Sequence, residues 1–322
     1  MNFRQLAYGI LSYLPLSPDL LTPRTGGTNS AEYCYCIWLR HLALAADGGM
    51  ISFPRVVAEL GPGDSLGVGM AALISGVDRY YAFDAVPHAD RRNDLAIFDR
   101  LVEMFHARAR IPGLDVFPEM IIGLPSYDFP GLLSDSHLDK ALQPERIQAL
   151  REQLAGDGSQ TPAIAYRAPW FRPNEAEYGK VDLLMSSAVL EHVDNVDDAY
   201  GAIRDWLKPS GWSVHQIDFR SHSLFRGWDG HWACPDWLWR LMRGRRAYLL
   251  NREPFSTHLR AIGDAGLILL RATRSEREPE RKKLAHRFAH LDEQDRRTST
   301  AIVQLQKPGC SEDHFVSPLP EQ

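Results

Sequence analysis

Two groups of residues in this chain have the types and spacing to do chemistry. The first lies in RVVAELGPGDSLG, residues 55–67, where an apolar run ends in Glu59 and leads to Gly61 and Gly63 on either side of Pro62. Glycine adopts φ > 0 without steric cost and lets the backbone approach a ligand closely. A strand turning sharply into a helix at such a point is the construction of a nucleotide-type binding loop. Asp84 ends a second run, RYYAFD, 21 positions after Gly63. A carboxylate at that offset sits beside the glycine loop and can accept hydrogen bonds from both hydroxyls of a ribose.

The second group holds His192, His215, Asp218, His222 and His231. Imidazole titrates near neutrality, so His192, His222 or His231 fits a general base. Asp218 with His222 could instead chelate a metal that positions a diol or sugar hydroxyl. No two of these residues show a recognised ligand spacing, and no metal is expected. In a third reading each is hydrogen-bonded structure, which suits His215, in mid-strand, best.

The elements that position these residues alternate between strand and helix. Val56, Val57, Ala58 and Leu60 suit a strand covered on both faces, followed by a helix over about 66–74. A strand over 79–84, a helix over 88–107 and a helix from Pro144 to Gly156, with proline at its first position, come next. Ile164–Tyr166 is a short strand. VDLLMSSAVLEHV, 181–193, is a buried strand passing into a helix over about 195–207, with Glu191 and His192 at its start. After a turn at Pro209-Ser210-Gly211, a strand covers 212–219. A helix capped by Ser256 or Thr257, a strand over 267–271, a charged helix over 277–292 and a strand over 299–306 complete the chain. This alternation predicts a parallel sheet with helices on both faces.

Helices over 2–14 and from Ser30 to Gly48 make residues 1–50 an N-terminal helical cap. Two insertions interrupt the domain that spans 51–310, and 311–322 reads as a disordered tail. The first, 111–142, is rich in Pro, Gly, Ser and Asp; the second, 220–254, in Trp, His and Arg. Irregular segments of this length are functional or disordered, and their apolar content favours packing as a cap or lid. Pocket walls are therefore expected from 24–38, 111–142 and 220–248. Trp237, Leu238, Leu241 and Met242 have the spacing of a buried helix face starting at Pro235. Interleaved aromatic and arginine side chains suit a carbohydrate or anionic acceptor.

Taken together, ELGPG in strand-loop-helix context, Asp84, SSAVLEHV at the fourth strand and LKPSGW before the fifth resemble class I S-adenosylmethionine-dependent methyltransferases over roughly residues 50–220. The resemblance implies a seven-stranded, mostly parallel, doubly wound Rossmann-like sheet with S-adenosyl-L-methionine as cofactor. It places Glu59 opposite the ammonium of the methionine part and the backbone of Gly61, Pro62 and Gly63 beneath the ligand. Asp84, with Ala85 beside it, takes the ribose. Tyr166 stands in the adenine-contacting segment, where the acid often found is absent. Ser186 and Ser187 border the methionine and the reactive methyl. His192, Asp218 and His222 are the catalytic candidates. Ser65 replaces a glycine often found two positions after Gly63, so the turn must carry a Cβ there.

The implied activity is methyl transfer to a small-molecule or sugar-type acceptor, on oxygen. A methyltransferase fold that has lost catalysis and serves as a scaffold is the alternative from another class. An NAD(P)-dependent oxidoreductase is disfavoured. Leu66 stands where the third glycine of G-x-G-x-x-G belongs, and Asp64 would repel a diphosphate.

Composition sets the outer bounds. The 322 residues are 44% hydrophobic and 24% charged, with a net charge of −5. That balance argues against nucleic acid as a partner. Cys34, Cys36, Cys234 and Cys310 show no CxxC pair, which fits a reducing compartment. No run of about 18 apolar residues occurs, so a soluble, cytoplasmic protein without a membrane partner is expected. Oligomeric state is not legible.

Overall fold

The computed structural model describes residues 2–14, 28–156, 161–171, 174–246 and 249–309. Pro15, Pro18, most of the RTGGTNS loop, Cys310 and the expected disordered tail over 311–322 lie outside the described residues. Helices α1 (Phe3–Leu11) and α2 (Ala31–Asp47) precede β1 (Val56–Leu60), α3 (Gly67–Ile74), β2 (Arg79–Phe83) and α4 (Asp94–His106). There follow α5 (Asp135–Ala141), α6 (Pro144–Ala155), β3 (Ile164–Arg167), β4 (Val181–Ser187), α7 (Val196–Trp206) and β5 (Leu207–Asp218). The chain closes with α8 (Asp236–Arg243), α9 (Phe255–Asp264), β6 (Ile268–Glu276), α10 (Glu293–Arg297) and β7 (Thr298–Gln306).

The seven strands form one sheet in the order β3-β2-β1-β4-β5-β7-β6. The first five are parallel, and β7 enters antiparallel between β5 and β6. Side chains alternate across the sheet with the period of two that strands impose. Val57, Leu183, Met185 and Val214 face the core under α2, α3 and α4. Ala58, Leu60, Leu184 and Ile217 face the core under α7 and α9. This is the doubly wound architecture expected from the sequence.

Helix α2 is buried along most of its length because it lies between α3, α4 and the sheet. Ser30 caps it through Tyr33 N, and Trp38 Nε1 donates to Ser75 Oγ at 2.9 Å. Helix α1 instead packs on α8, where a Cβ on Gly9 would lie 2.2 Å from the carbonyl oxygens of Leu241 and Met242. No described helix is long and apolar enough to cross a membrane.

Several expectations are corrected. Residues 277–292 form no helix: Pro279 disfavours helical geometry before it, and tertiary partners take the backbone. Arg281 N donates to Asp229 Oδ2 at 2.7 Å and Ala285 N to the Trp232 carbonyl at 2.9 Å, leaving a single short turn at His286–Phe288. The helix expected from 88 begins at Asp94, after a short turn capped by Asp90. Glu191 and His192 lie in the turn before α7, whose cap is Asn195. Neither Ser256 nor Thr257 caps α9; Asp295 accepts from Ser256 N at 2.8 Å and Oγ at 2.6 Å. On α8, Trp239 and Met242 are the buried pair, while Trp237 and Leu241 are exposed.

Candidate functional site

Strand order reverses between β1 and β4, and in open parallel sheets ligands bind outside the carboxyl ends of the strands at such a point. A cavity of about 800 Å³ opens there. Among the anticipated residues, Glu59, Gly61, Gly63, Asp84, Ala85, Ser187, His192 and His222 line it. Pro62, Tyr166, Ser186 and Asp218 do not.

The glycine loop is built as its sequence demands. Gly61 has φ +74° and Gly63 φ +75°. Gly61 N donates to the Phe83 carbonyl at 2.8 Å, which ties the loop to the end of β2. A Cβ on Gly61 would lie 2.5 Å from Val189 Cγ2, so the close approach excludes larger residues. Ser65, where a third glycine was looked for, uses its side chain. Its N–H donates to Thr28 Oγ1 at 3.1 Å and its hydroxyl donates to the Thr28 carbonyl, tying the segment before α2 to the loop.

Asp84 follows β2 and is buried at the cavity wall. Ala85 N donates to its Oδ1 at 2.7 Å, and the Tyr166 hydroxyl donates to its Oδ2 at 3.2 Å. Burial raises its pKa, against the pull of the Ala85 N–H, His88 and Tyr166. Tyr166, placed at the adenine segment by resemblance, thus supports Asp84 from behind, and its hydroxyl also accepts from His88 N at 3.0 Å. Trp170 and Phe171 do reach the cavity, because Trp170 N donates to the Asp84 carbonyl at 2.7 Å. The aromatic pair just after the third strand was the available signal for them.

Glu59, at the end of β1, is 3% exposed and accepts a hydrogen bond from the Tyr80 hydroxyl at 2.6 Å. Burial pushes its pKa up to about 7, with the nearby Asp84 adding to the effect and the Tyr80 bond opposing it.

The other end of the cavity belongs to the end of β4 and to the segments that follow β4 and β5. Ser187 lines it, whereas Ser186 turns away, its Oγ 2.8 Å from His215 Nδ1 and its carbonyl 3.3 Å from His41 Nε2. Burial pushes His215 and His231 down to about 3, and neither lines the cavity. Asp218 sits below the wall: burial would raise its pKa, but His222 and Arg220 hold it well below the usual carboxylate range. Its Oδ2 lies 3.1 Å from His222 Nε2 and 2.6 Å from Arg220 Nη2. His222 has φ +46°, a left-handed backbone rare outside glycine; the His192 and His222 ring centres are 5.0 Å apart.

Of the expected walls, the N-terminal segment supplies Thr28, Tyr33 and Ile37, and the second insertion supplies His222. The first insertion, 111–142, supplies none. Its Ile111, Met120, Leu133 and Leu138 join the core shared with α2, α3 and α4, and Phe117 stands edge-on to the lining residue Tyr33 at 5.4 Å.

No protein-family model matches this sequence, and no curated protein matches it. Solved structures align with it at low identity. An S-adenosylmethionine-dependent methyltransferase from Mesorhizobium loti is 14% identical, with 87% of this chain and all of that one covered and a TM-score of 0.38. Haemonchus contortus phosphoethanolamine N-methyltransferase 2, solved with S-adenosyl-L-methionine, is 12% identical over 94% of this chain and 56% of its own, at a TM-score of 0.40. Geranyl diphosphate C-methyltransferase from Streptomyces coelicolor, solved with Mg2+, geranyl diphosphate and S-adenosyl-L-homocysteine, is 10% identical over 83% and 77%, at 0.39.

Proposed function

We propose that this chain is a class I S-adenosyl-L-methionine-dependent methyltransferase that methylates a small-molecule or sugar-type acceptor on oxygen. The observation that carries the reading is the Asp84 carboxylate. It is oriented by Ala85 N–H and the Tyr166 hydroxyl at the wall of a cavity whose adjacent loop holds Gly61 and Gly63 in left-handed geometry. A carboxylate so placed accepts from two ribose hydroxyls.

Bound S-adenosyl-L-methionine supplies a methyl group already activated by a sulfonium centre. The protein's task is alignment and, for an oxygen acceptor, removal of a proton. Asp84 and Ala85 hold the ribose end; Glu59, once ionised, balances the ammonium of the methionine part. Ser187 borders the methionine from the end of β4. His192 and His222 line the cavity and Asp218 holds the His222 ring, which supports giving these residues the loss of the acceptor's proton. The three described cysteines are free and buried, in keeping with a cytoplasmic enzyme.

Titration calorimetry with S-adenosyl-L-methionine on the full chain tests the reading. Wild type binds at micromolar concentration and Asp84→Ala does not. No heat at high micromolar cofactor, or equal binding by Asp84→Ala, overturns it in favour of the scaffold alternative.

A further inference from the structure

Glu191 has no part in the methyl transfer outlined above, yet its setting is specific. It is 3% exposed, and neither carboxylate oxygen has a side-chain partner among the described residues; only the backbone N–H groups of Glu191 and Asp218 bear on it. A buried carboxylate without a side-chain partner is costly unless it is protonated, paired or bound to a cation, and burial raises the Glu191 pKa well above the usual carboxylate range. The turn that carries it is pinned. Asn251 N donates to the Glu191 carbonyl at 2.8 Å, and Asn251 Nδ2 donates to the carbonyls of Leu190 at 2.8 Å and Val193 at 3.1 Å.

Glu191, His192 and His222 each present one donor atom, and the three atoms lie within 4.8 Å of one another. Asp218 engages His222 Nε2, which leaves Nδ1 as the ring nitrogen open to a ligand. A carboxylate on the far nitrogen of an imidazole is the usual outer support of a metal-bound histidine. When ionised, Glu191 and Asp218 bring two negative charges against one guanidinium. That guanidinium, of Arg220, is held by both Asp218 oxygens, so one negative charge remains to set against a cation.

We propose that Glu191, His192 and His222 form a site for a divalent first-row transition ion at the acceptor end of the cavity. Two imidazoles and one carboxylate favour Zn(II), Fe(II), Mn(II) or Co(II) over Mg(II) or Ca(II). An ion about 2.1 Å from each donor needs donors roughly 3.4 Å apart, so binding would draw the Glu191 carboxylate and the His192 ring toward the His222 ring that Asp218 holds. Three protein ligands leave coordination positions open, and His192 and His222 both face the cavity. Resting on the methyltransferase reading, the acceptor class follows: a molecule with two adjacent oxygens, such as a vicinal diol or a hydroxy acid. The ion grips both oxygens and favours ionisation of the hydroxyl to be methylated. The site needs no ligand spacing in sequence, because the fold brings residue 222 to residues 191 and 192.

The test uses the full chain, stripped with a chelator and titrated with Co(II) alone. Visible d–d absorption grows to saturation at about one equivalent, is displaced by Zn(II) and is untouched by equal Mg(II). Glu191→Gln and His222→Ala lose the bands, and Asp218→Asn weakens Co(II) binding by roughly tenfold. Circular dichroism shows which variants are folded, and His192→Ala, at the cavity wall, replaces any that is not. No bands in folded wild type, or unchanged bands in the folded variants, overturn the proposal. Calorimetry with S-adenosyl-L-methionine on the same samples separates the two readings: cobalt binding without cofactor binding refutes the methyltransferase but leaves the ion site, and the reverse refutes the ion site alone.

Discussion

The Tyr80 hydroxyl donates to Glu59 Oε2 at 2.6 Å inside a fully buried pair, yet burial still carries the Glu59 pKa up to about 7. In the unfolded chain that carboxyl ionises near 4.5. Between these values the folded state holds a proton that the unfolded state has lost, so stability falls as pH rises from about 4.5 to about 7 and is level above. Cofactor affinity has the opposite sign. Under the proposed function the ammonium of S-adenosyl-L-methionine faces the Glu59 carboxylate, so affinity is expected to drop as pH falls below 7 and binding near pH 6 to release a proton. Calorimetry in two buffers of different ionisation enthalpy reads that proton directly. Glu59→Gln binds more weakly at pH 8 and loses the pH dependence; an unchanged profile in that variant removes Glu59 from the site.

Gly61 combines two demands that one double variant separates. Its φ of +74° disfavours any side chain, and a Cβ would meet Val189 Cγ2 at 2.5 Å and Cγ1 at 2.8 Å. Gly61→Ala lowers stability by about 1–3 kcal/mol in thermal melts and weakens cofactor binding. Adding Val189→Ala recovers the steric part and leaves the backbone part. Complete recovery in the double variant would show that the left-handed geometry costs nothing here.

In the proposed site Tyr166 acts on the cofactor through Asp84. Tyr166→Phe removes the 3.2 Å bond to Oδ2 but leaves the Ala85 N–H on Oδ1. Cofactor affinity falls by about tenfold, the worth of one neutral-to-charged hydrogen bond at the low end. Asp84→Ala eliminates binding altogether. A Tyr166→Phe loss as large as that of Asp84→Ala would mean that the phenol itself contacts the ligand.

The glycine loop and the carboxylates beside it were legible because their demands are local. Gly61 and Gly63 sit where only glycine is comfortable, and the strand alternation around Glu59 and Asp84 fixes which edge they share. Tertiary partners hid the rest. Pro279 and the bonds of Arg281 to Asp229 and Ala285 to Trp232 override the helix-like charge pattern of 277–292. Glu191 was read only as the start of a helix, since nothing in SSAVLEHV says that its side chain is buried without a side-chain partner. Composition likewise could not say which face 111–142 packs on, and it packs away from the cavity.

Asp295 supplies the cap that the sequence assigned to Ser256 or Thr257. It accepts from Ser256 N and Oγ at the start of α9, and Pro254 in the cap position has no side-chain donor or acceptor for the task. Asp295→Ala therefore destabilises the fold by about 1–2 kcal/mol, the usual cost of a lost cap. The change shows in the denaturation midpoint with cofactor affinity unaltered, since Asp295 lines no part of the cavity.

Leu138 tests where the first insertion acts. It is fully buried on α5, in the core beneath α2 and α3, and no residue of 111–142 lines the cavity. Leu138→Ala removes buried methyl groups and leaves a void, so stability falls by about 2–5 kcal/mol. A lid would behave differently: loosening it would change cofactor off-rates before it changed the melting temperature. Unaltered cofactor affinity and off-rate in the folded variant, alongside the lower melting temperature, mark 111–142 as structural support for α2. A faster off-rate at unchanged stability would restore the lid.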